Sequence, residues 1–587
     1  MKSKQYETWS KEELVHEINA LRKQKTYGLV WEKDRTKEEF DFFINWEGEK
    51  TKEEFGRESK DKFPVLAEIT SKEIVTNKNY PMNLLIEGDN YHSLVVLNFT
   101  HKGAIDVIYI DPPYNTGNKD FKYNDQFVEK EDGYRHSKWL SFISKRLVLA
   151  KNLLKDTGVI FISIDDNEQA QLRLLCDEIF GEENFLGNVI WQTATDNNPS
   201  QIAVEHEYII TYCKNKRLQP KWVVASEKAR IVDTHYKELK LQFGNKSTKI
   251  QFELRRWMKE NKDMLEGVLH YNYVDEKGVY YPDNPSNPHP GGYKYTILHP
   301  ITKKPCRIPP NGYRWPEITF VDMLNKGDIE FGVDETITPK PKKRITNSKE
   351  LLRSVYYEDN RRSTNELTEL LGKKLFDNPK SPRLIKNLLR FVSNTEATVL
   401  DFFAGSGTTA HSVLEMNKED GGHRRFIMCT NNESNICTEV CYPRIRNVIR
   451  GYLGASQIKV SGLGGNLKYF KTDFVEADPT DRNKQKLVNK CMEMLCIKEN
   501  AFDSVKEGKR YRIFKNDEYH LGIIFDDDYI DDFVKEAQKI QNKFHVYVFS
   551  LDESVPTSQF KNLKGRMTLC AIPEAILKVY RKVFQDD

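Results

Sequence analysis

The tetrapeptide Asp111-Pro112-Pro113-Tyr114 closes the hydrophobic run 105–110 (IDVIYI) and is the stretch best suited to chemistry. In an open α/β sheet, ligands bind outside the carboxyl ends of the strands, so a carboxylate there stands where a substrate arrives. Two successive prolines hold the backbone extended and keep the Pro112 carbonyl out of helical hydrogen bonding. The Asp111 carboxylate and that carbonyl can then both accept hydrogen bonds from one amino group. An aryl amine needs such help, because its lone pair is delocalised into the ring. Two acceptors on its hydrogens favour the charge that develops as the nitrogen attacks an electrophile. Tyr114 adds a flat face on which an extruded base can stack, worth about 1–3 kcal/mol. A plain strand-ending turn with the same four residues is the competing reading.

A second constellation lies 290 residues further on: Asp401-Phe402-Phe403-Ala404-Gly405-Ser406-Gly407-Thr408-Thr409, a strand running into a glycine-rich turn and then a helix. Glycines let a backbone approach a ligand closely, and a helix N-terminus favours an anionic group such as a carboxylate. The turn is therefore expected to bring the backbone close to a ligand such as a cofactor. The sequence holds neither GxGxxG nor GK[ST], so nothing supports a dinucleotide or ATP loop. A tight turn without a ligand is the alternative. Asp165 and Asp166, after the run 159–164, are expected at the same sheet edge, although Asp166 fits a helix N-cap equally well. Asp89, after the run 83–88, is a further cofactor candidate.

The elements that must position these residues form a doubly wound α/β pattern. Strands are expected at 83–88, 105–110, 159–164, 207–212, 398–403 and 424–429, with helices at 137–155 and from Thr408. The regularity stops after residue 213 and resumes near 378, so one α/β domain is interrupted by a segment rich in aromatics, Pro and Gly. The expected organisation is an N-terminal helix and linker region (1–80), a first α/β part (81–214), an insert (215–375), a second α/β part (376–460) and a C-terminal α+β module (461–587). Within the first region, Ser10 and Glu13 have capping-box spacing for a helix over 10–25, either docked on the main domain or paired with a second copy. Residues 45–80 read as a charged linker.

The balance of 90 Lys and Arg against 87 Asp and Glu leaves nucleic-acid binding to local basic patches. Nine scattered cysteines, with no CxxC pair and no histidines at zinc spacing, read as reduced thiols and give no metal site. No apolar run approaches the roughly 20 residues that cross a bilayer, and the start lacks the apolar core of a signal peptide, so a cytoplasmic protein without membrane contact is expected.

DPPY followed by DFFAGSGTT resembles the permuted amino-methyltransferases of the β class, in which the catalytic motif precedes the cofactor motif. More closely, GLVWEKD (28–34), IEGDNYHSL (86–94), YIDPPYNTGNKDF (109–121), SIDDNE (163–168), the PHPGGYKY and GYRWP stretches and CTNNESNIC (429–437) resemble the modification subunit of type III restriction-modification systems. The resemblance implies a Rossmann-like methyltransferase sheet and transfer of a methyl group from S-adenosyl-L-methionine to N6 of adenine in double-stranded DNA. It also implies a homodimer and an ATP-dependent restriction (Res) subunit as partner.

The roles carried over put Asp111, Pro112, Pro113 and Tyr114 on the base and Asp401, Phe403, Gly405 and Gly407, with Ala404, Ser406 and Thr408 of the same motif, around the cofactor, which Lys380 also contacts. An acidic ribose ligand commonly ends the strand after the glycine-rich helix, but here the strand runs into Thr430-Asn431-Asn432. Either these neutral side chains serve or Glu433 reaches back. The insert then reads as a target-recognition domain, with Arg314, Trp315, Lys342, Lys343 and Arg344 expected at DNA. A solvated surface over an aromatic core is the plainer reading of those residues. Cytosine-N4 methylation and a non-catalytic DNA-reading subunit remain as alternatives. The first usually carries Ser where Asp111 stands, and the intact Asp111 and Tyr114 weigh against the second.

Overall fold

The structure is a computed structural model, and it describes residues 10–11, 29–33, 36, 62–124, 126–193, 201–454, 456–476, 480–550, 555, 557–563, 565–572 and 574–585. The helix expected over 10–25 lies outside these residues except for Ser10 and Lys11, as does most of the charged stretch before residue 62. The chain divides into two compact units, Met1–Pro220 with Arg353–Asp587, and Lys221–Leu352.

The larger unit is built on a ten-stranded sheet. Its strands are β1 (Lys62–Glu68), β2 (Met82–Glu87), β3 (Ile105–Ile110), β4 (Leu154–Ile164), β5 (Phe185–Gln192), β6 (His206–Cys213), β7 (Val355–Tyr357), β8 (Thr398–Asp401), β9 (Arg425–Thr430) and β10 (Asn466–Glu476). Their spatial order is β1-β10-β2-β9-β8-β3-β4-β6-β5-β7. From β10 to β4 the pairing is parallel throughout. The edge strand β1 and, toward the other side, β6 run antiparallel to their inner neighbours β10 and β4.

A parallel strand covered on both faces reads as a continuous apolar run, and β3 obeys: Ile105, Val107, Ile108, Tyr109 and Ile110 are all buried. Helices α1 (Asn90–Thr100), α2 (Arg135–Leu153) and α3 (Gln169–Phe180) pack on one another as one layer. Helices α4 (Arg361–Leu371), α5 (Pro382–Val392), α6 (Thr408–Asp420) and α7 (Tyr442–Arg450) form the other. The unit is thus a doubly wound α/β fold.

Three expected boundaries shift. Residues 353–375 belong to the larger unit, because β7 adds to the sheet alongside β5 and α4 packs on α7. Residues 62–80, read as linker, contain edge strand β1. Residues 461–587 are not set apart: β10 enters the sheet beside β2, and the Tyr580 hydroxyl donates to the Pro64 carbonyl at 2.6 Å. Beyond β10 a second, five-stranded sheet covers 503–506, 511–515, 520–524, 544–549 and 567–572, and it shares a hydrophobic core with the first.

The smaller unit is closed at its base by Val223–Ala225 pairing with Lys349–Leu351, where the chain enters and leaves. Helices Glu227–Phe243 and Ser247–Glu260 bury Val232, Tyr236, Ile250 and Leu254 beside a four-stranded sheet.

Candidate active site

Strand β3 leads through α2 to β4 on one side, and its neighbour β8 leads through α6 to β9 on the other. The strand order therefore reverses between the parallel strands β3 and β8, which is where a doubly wound sheet opens a crevice beyond its carboxyl ends. A cleft of about 1030 Å³ lies there, lined among others by Asp89, Asp111, Pro112, Phe403, Gly405 and Asn431. The two constellations, far apart in sequence, meet in it.

The tetrapeptide after β3 is anchored from below. Trp139 of α2 donates its indole N–H to the Pro113 carbonyl at 2.7 Å, and Asn115, at φ +60°, donates to the Glu168 carboxylate at 2.5 Å. Pro112 and Pro113 line the cleft, and the Pro112 carbonyl holds no hydrogen bond among the described residues. Asp111 Oδ1 is buried without an aligned donor, although Lys380 Nζ stands 3.3 Å away. Burial pushes the Asp111 carboxyl above its usual range; the Lys380 ammonium opposes this and Glu207 adds to it.

Tyr114 sits behind Asp111 rather than in the cleft wall. Its hydroxyl donates to Glu207 Oε2 at 2.8 Å and accepts from Lys380 Nζ at 2.7 Å. Lys380 also donates to Glu207 at 2.7 Å and lies 4.8 Å from the Tyr114 ring centre. Lys380, expected at the cofactor, thus has its ammonium among Asp111, Tyr114 and Glu207. Ser381 caps α5 by accepting from Arg383 N, with Pro382 in the first turn, and this fixes the residue before it.

The glycine-rich turn divides into a face and a back. Phe403 and Gly405 face the cleft, and Gly405 takes φ +48°, where a Cβ would meet the Phe403 carbonyl at 3.8 Å and the Phe376 ring at 3.9 Å in ordinary contact. Asp401, Ser406 and Thr408 form the back, and neither they nor Ala404 and Gly407 line the cleft. Asp401 is 3% exposed; it accepts from Phe403 N at 3.0 Å and Thr409 Oγ1 at 2.6 Å, and burial pushes its carboxyl up to about 7. The hydroxyls of Ser406 and Thr408 accept from the buried Arg444 guanidinium at 3.0 and 2.7 Å. Burial lowers Arg444 to about 10, and no carboxylate reaches it among the described residues.

On the opposite wall, Asp89 caps α1 by accepting from Tyr91 N at 2.7 Å and presents a half-exposed carboxylate. Beside it, buried Arg146 donates to Asn90 Oδ1 at 2.5 Å, and Asn90 donates to the Phe402 carbonyl at 2.9 Å, tying α2 and α1 to the turn after β8. At the end of β9, Thr430, Asn431 and Glu433 line the cleft, and Glu433 pairs with Lys122. Asn432 does not; its side chain accepts from Thr438 N at 3.0 Å. Asp165 stays outside the cleft, closing a turn onto Asn167 N at 2.9 Å.

In the smaller unit, strand alternation sorts the expected DNA contacts. Lys342 and Arg344 share one face of Lys340–Arg344 and turn inward: Lys342 pairs with Asp275 at 2.9 Å, and Arg344 pairs with Asp275 and Asp328, each at 2.6 Å. They are part of the fold. Lys343 faces outward, half-exposed, and pairs with Asp283 at 2.7 Å. Arg314 is exposed with its guanidinium 5.7 Å from the Trp315 ring. The PHPGGYKY and GYRWP stretches meet where Gly292 and Gly312 touch, with Tyr295 stacked on the buried Tyr313 at 4.6 Å.

Glu207, Arg146 and Arg444 escaped the reading of the sequence. Arg146 left a signal, a lone charge on the apolar face formed by Ile143, Leu147 and Ala150. Glu207 is a carboxylate near the start of a strand whose later residues, from Ile209 on, are buried.

A family described as DNA methylase matches residues 105–440. The Mod subunit of the type III restriction-modification enzyme EcoP15I of Escherichia coli is 40% identical over 381 residues, covering 60% of this chain and 58% of the relative. The Mod subunit of StyLTI from Salmonella typhimurium is 33% identical over 396 residues, covering 62% and 55%. The matches therefore span little more than half of either Mod subunit. The type II methyltransferase M.KpnI of Klebsiella pneumoniae is 32% identical over 392 residues, covering 64% of this chain and 85% of that one. With the family match spanning 336 residues, from β3 through the glycine-rich turn, the chain belongs to the DNA methylase family.

Proposed function

We propose that the chain transfers a methyl group from S-adenosyl-L-methionine to N6 of adenine in double-stranded DNA, as the modification subunit of a type III system. The observation that carries this reading is the pairing in one cleft of Asp111, with an unsatisfied buried oxygen, and the face of the glycine-rich turn.

The cleft suits the cofactor's chemistry. Asp89 offers a carboxylate to its ammonium charge, Phe403 and Phe142 offer aromatic faces to the sulfonium, and Gly405 lets the backbone come close. Asp89, Phe403, Gly405, Thr430 and Asn431 are the residues for holding it, with Glu433 at the same end for a ribose hydroxyl. When bound, it supplies an electrophilic methyl group.

The chain's own residues act on the amine. The Asp111 carboxylate and the Pro112 carbonyl accept its two N–H groups, which raises electron density on nitrogen as it begins to carry positive charge. Asp111 then holds the proton that nitrogen must lose. The base reaches this site by leaving the duplex, and stacking on an aromatic face offsets part of the few kcal/mol of unstacking. The smaller unit, with Arg314, Trp315 and Lys343 at its surface, is the part that reads the target sequence. A homodimer and an ATP-dependent restriction subunit complete the proposed assembly.

Single-molecule sequencing of DNA from cells expressing the chain tests the reading by reporting the modified base, its site and its strand together. Modified adenine at one short sequence is expected; unmodified DNA overturns the proposal, and modified cytosine at N4 replaces it.

A further inference from the structure

Asp111, Tyr114, Glu207 and Lys380 come from three segments: the tetrapeptide after β3, which carries the first two, the start of β6 and the turn before α5. Lys380 has 10% of its side chain exposed and stands 2.7 Å from Glu207, 2.7 Å from the Tyr114 hydroxyl and 3.3 Å from Asp111. Its position behind Asp111, with the Trp191 ring centre 5.3 Å from the ammonium, turns it away from the cleft that Asp111 faces. Two carboxylates share one ammonium, so the cluster keeps a single negative charge. The amine acceptor of the proposed reaction is one of the two.

We propose that Glu207 and Lys380 are a positioning pair that fixes the charge and orientation of Asp111 and pins the phenol of Tyr114. The proposal rests on the methyl-transfer reading of Asp111. Lys380 keeps Asp111 ionised inside a site that disfavours charge. Glu207 draws the ammonium to 2.7 Å from itself and leaves it 3.3 Å from the buried Asp111 Oδ1, in no aligned hydrogen bond, so the side of the carboxylate that opens on the cleft stays available to an amine. The other titratable groups facing Asp111 are the phenols of Tyr109 and Tyr114 and the carboxyl of Asp401, and none of these supplies a positive charge.

The two members therefore act on Asp111 with opposite sign. Lys380→Met removes its only cationic neighbour among the described residues, so Asp111 takes up a proton at higher pH. Glu207→Gln removes a repelling carboxylate and frees the whole ammonium for Asp111, so Asp111 ionises at lower pH while its oxygens become occupied.

The test is the pH dependence of single-turnover methylation by the full chain and both variants. The acid limb is expected to move up by about one pH unit or more in Lys380→Met and down in Glu207→Gln, whose plateau rate also falls at least tenfold. Lys380→Arg should return the limb toward that of the natural protein. Limbs that coincide, or that move in the same direction in both variants, overturn the proposal, since a merely structural role predicts one of these. The carboxyl 13C titration of Asp111, assigned with Asp111→Asn, reads the same opposite shifts without any turnover. If the natural chain methylates nothing, the reading of the reaction fails, and this titration still decides on the pair.

Discussion

Asp401→Asn isolates the charge held behind the glycine-rich turn. The native carboxyl keeps its proton up to about pH 7, whereas in the unfolded chain it releases it near 3.8. Between those values the unfolded state binds fewer protons, so this group's contribution to stability falls as pH rises from about 4 and levels off above 7. Three pH units at about 1.4 kcal/mol each make the full loss roughly 4 kcal/mol, of which about 2–3 kcal/mol falls between pH 5 and pH 8. Asparagine removes the titration and keeps both contacts: its carbonyl accepts from Phe403 N and its amide donates to Thr409 Oγ1. Urea unfolding of both proteins at pH 5 and pH 8 should show the variant gaining on the natural chain by about 2–3 kcal/mol across that interval. Cofactor affinity, read by calorimetry, should change by only a few fold, because Asp401 does not line the cleft. A stability gap that stays constant with pH, or a loss of cofactor binding by orders of magnitude, refutes the placement of Asp401 as a buried brace of the turn.

Gly407 takes φ +79°, and a Cβ there would lie 3.1 Å from Cys441 Sγ, so Gly407→Ala should cost about 2 kcal/mol, lower Tm by several degrees and weaken cofactor binding. In the smaller unit, Lys342→Ala and Arg344→Ala should lower the urea midpoint and leave the salt dependence of DNA binding unchanged. Arg314→Ala should do the opposite and reduce that slope by about one. Although burial works against it, Arg344 and Lys342 hold the Asp275 carboxyl down to about 2. Its stabilising effect is thus present above pH 4 and lost as pH falls through 2, and Asp275→Asn should destabilise by about 2 kcal/mol at pH 7 and by little at pH 2 in acid unfolding.

The strands that carry the two constellations were legible because burial on both faces leaves an unbroken apolar run, as in β3, followed at once by polar or glycine-rich residues. Strand β10 was not, since NLKYFKTDFVE mixes lysines and acids with aromatics and takes its place only by pairing with β1 and β2, nearly 400 residues away in sequence. The same distance hid the partners of charged residues. Lys342 and Arg344 read as a basic patch because Asp275 lies 67 and 69 positions earlier, and nothing local announces an inward-facing ion pair. Asp401, Ser406 and Thr408 fit a cofactor motif by type and spacing, yet a turn of this shape has a back as well as a face. Which residues fall on the back depends on Arg444 arriving from α7. Lys380 was singled out, but its partner Glu207 belongs to a strand 173 residues away.

The role of Asp111 is tested most directly by mass spectrometry of nucleosides from DNA incubated with the purified chain and S-adenosyl-L-methionine, run beside Asp111→Ala with cofactor binding measured on both. N6-methyldeoxyadenosine is expected from the natural chain and none from the variant, with cofactor affinity retained. Methylation that survives Asp111→Ala, or a variant that fails only because it no longer binds the cofactor, contradicts a role for Asp111 on the amine.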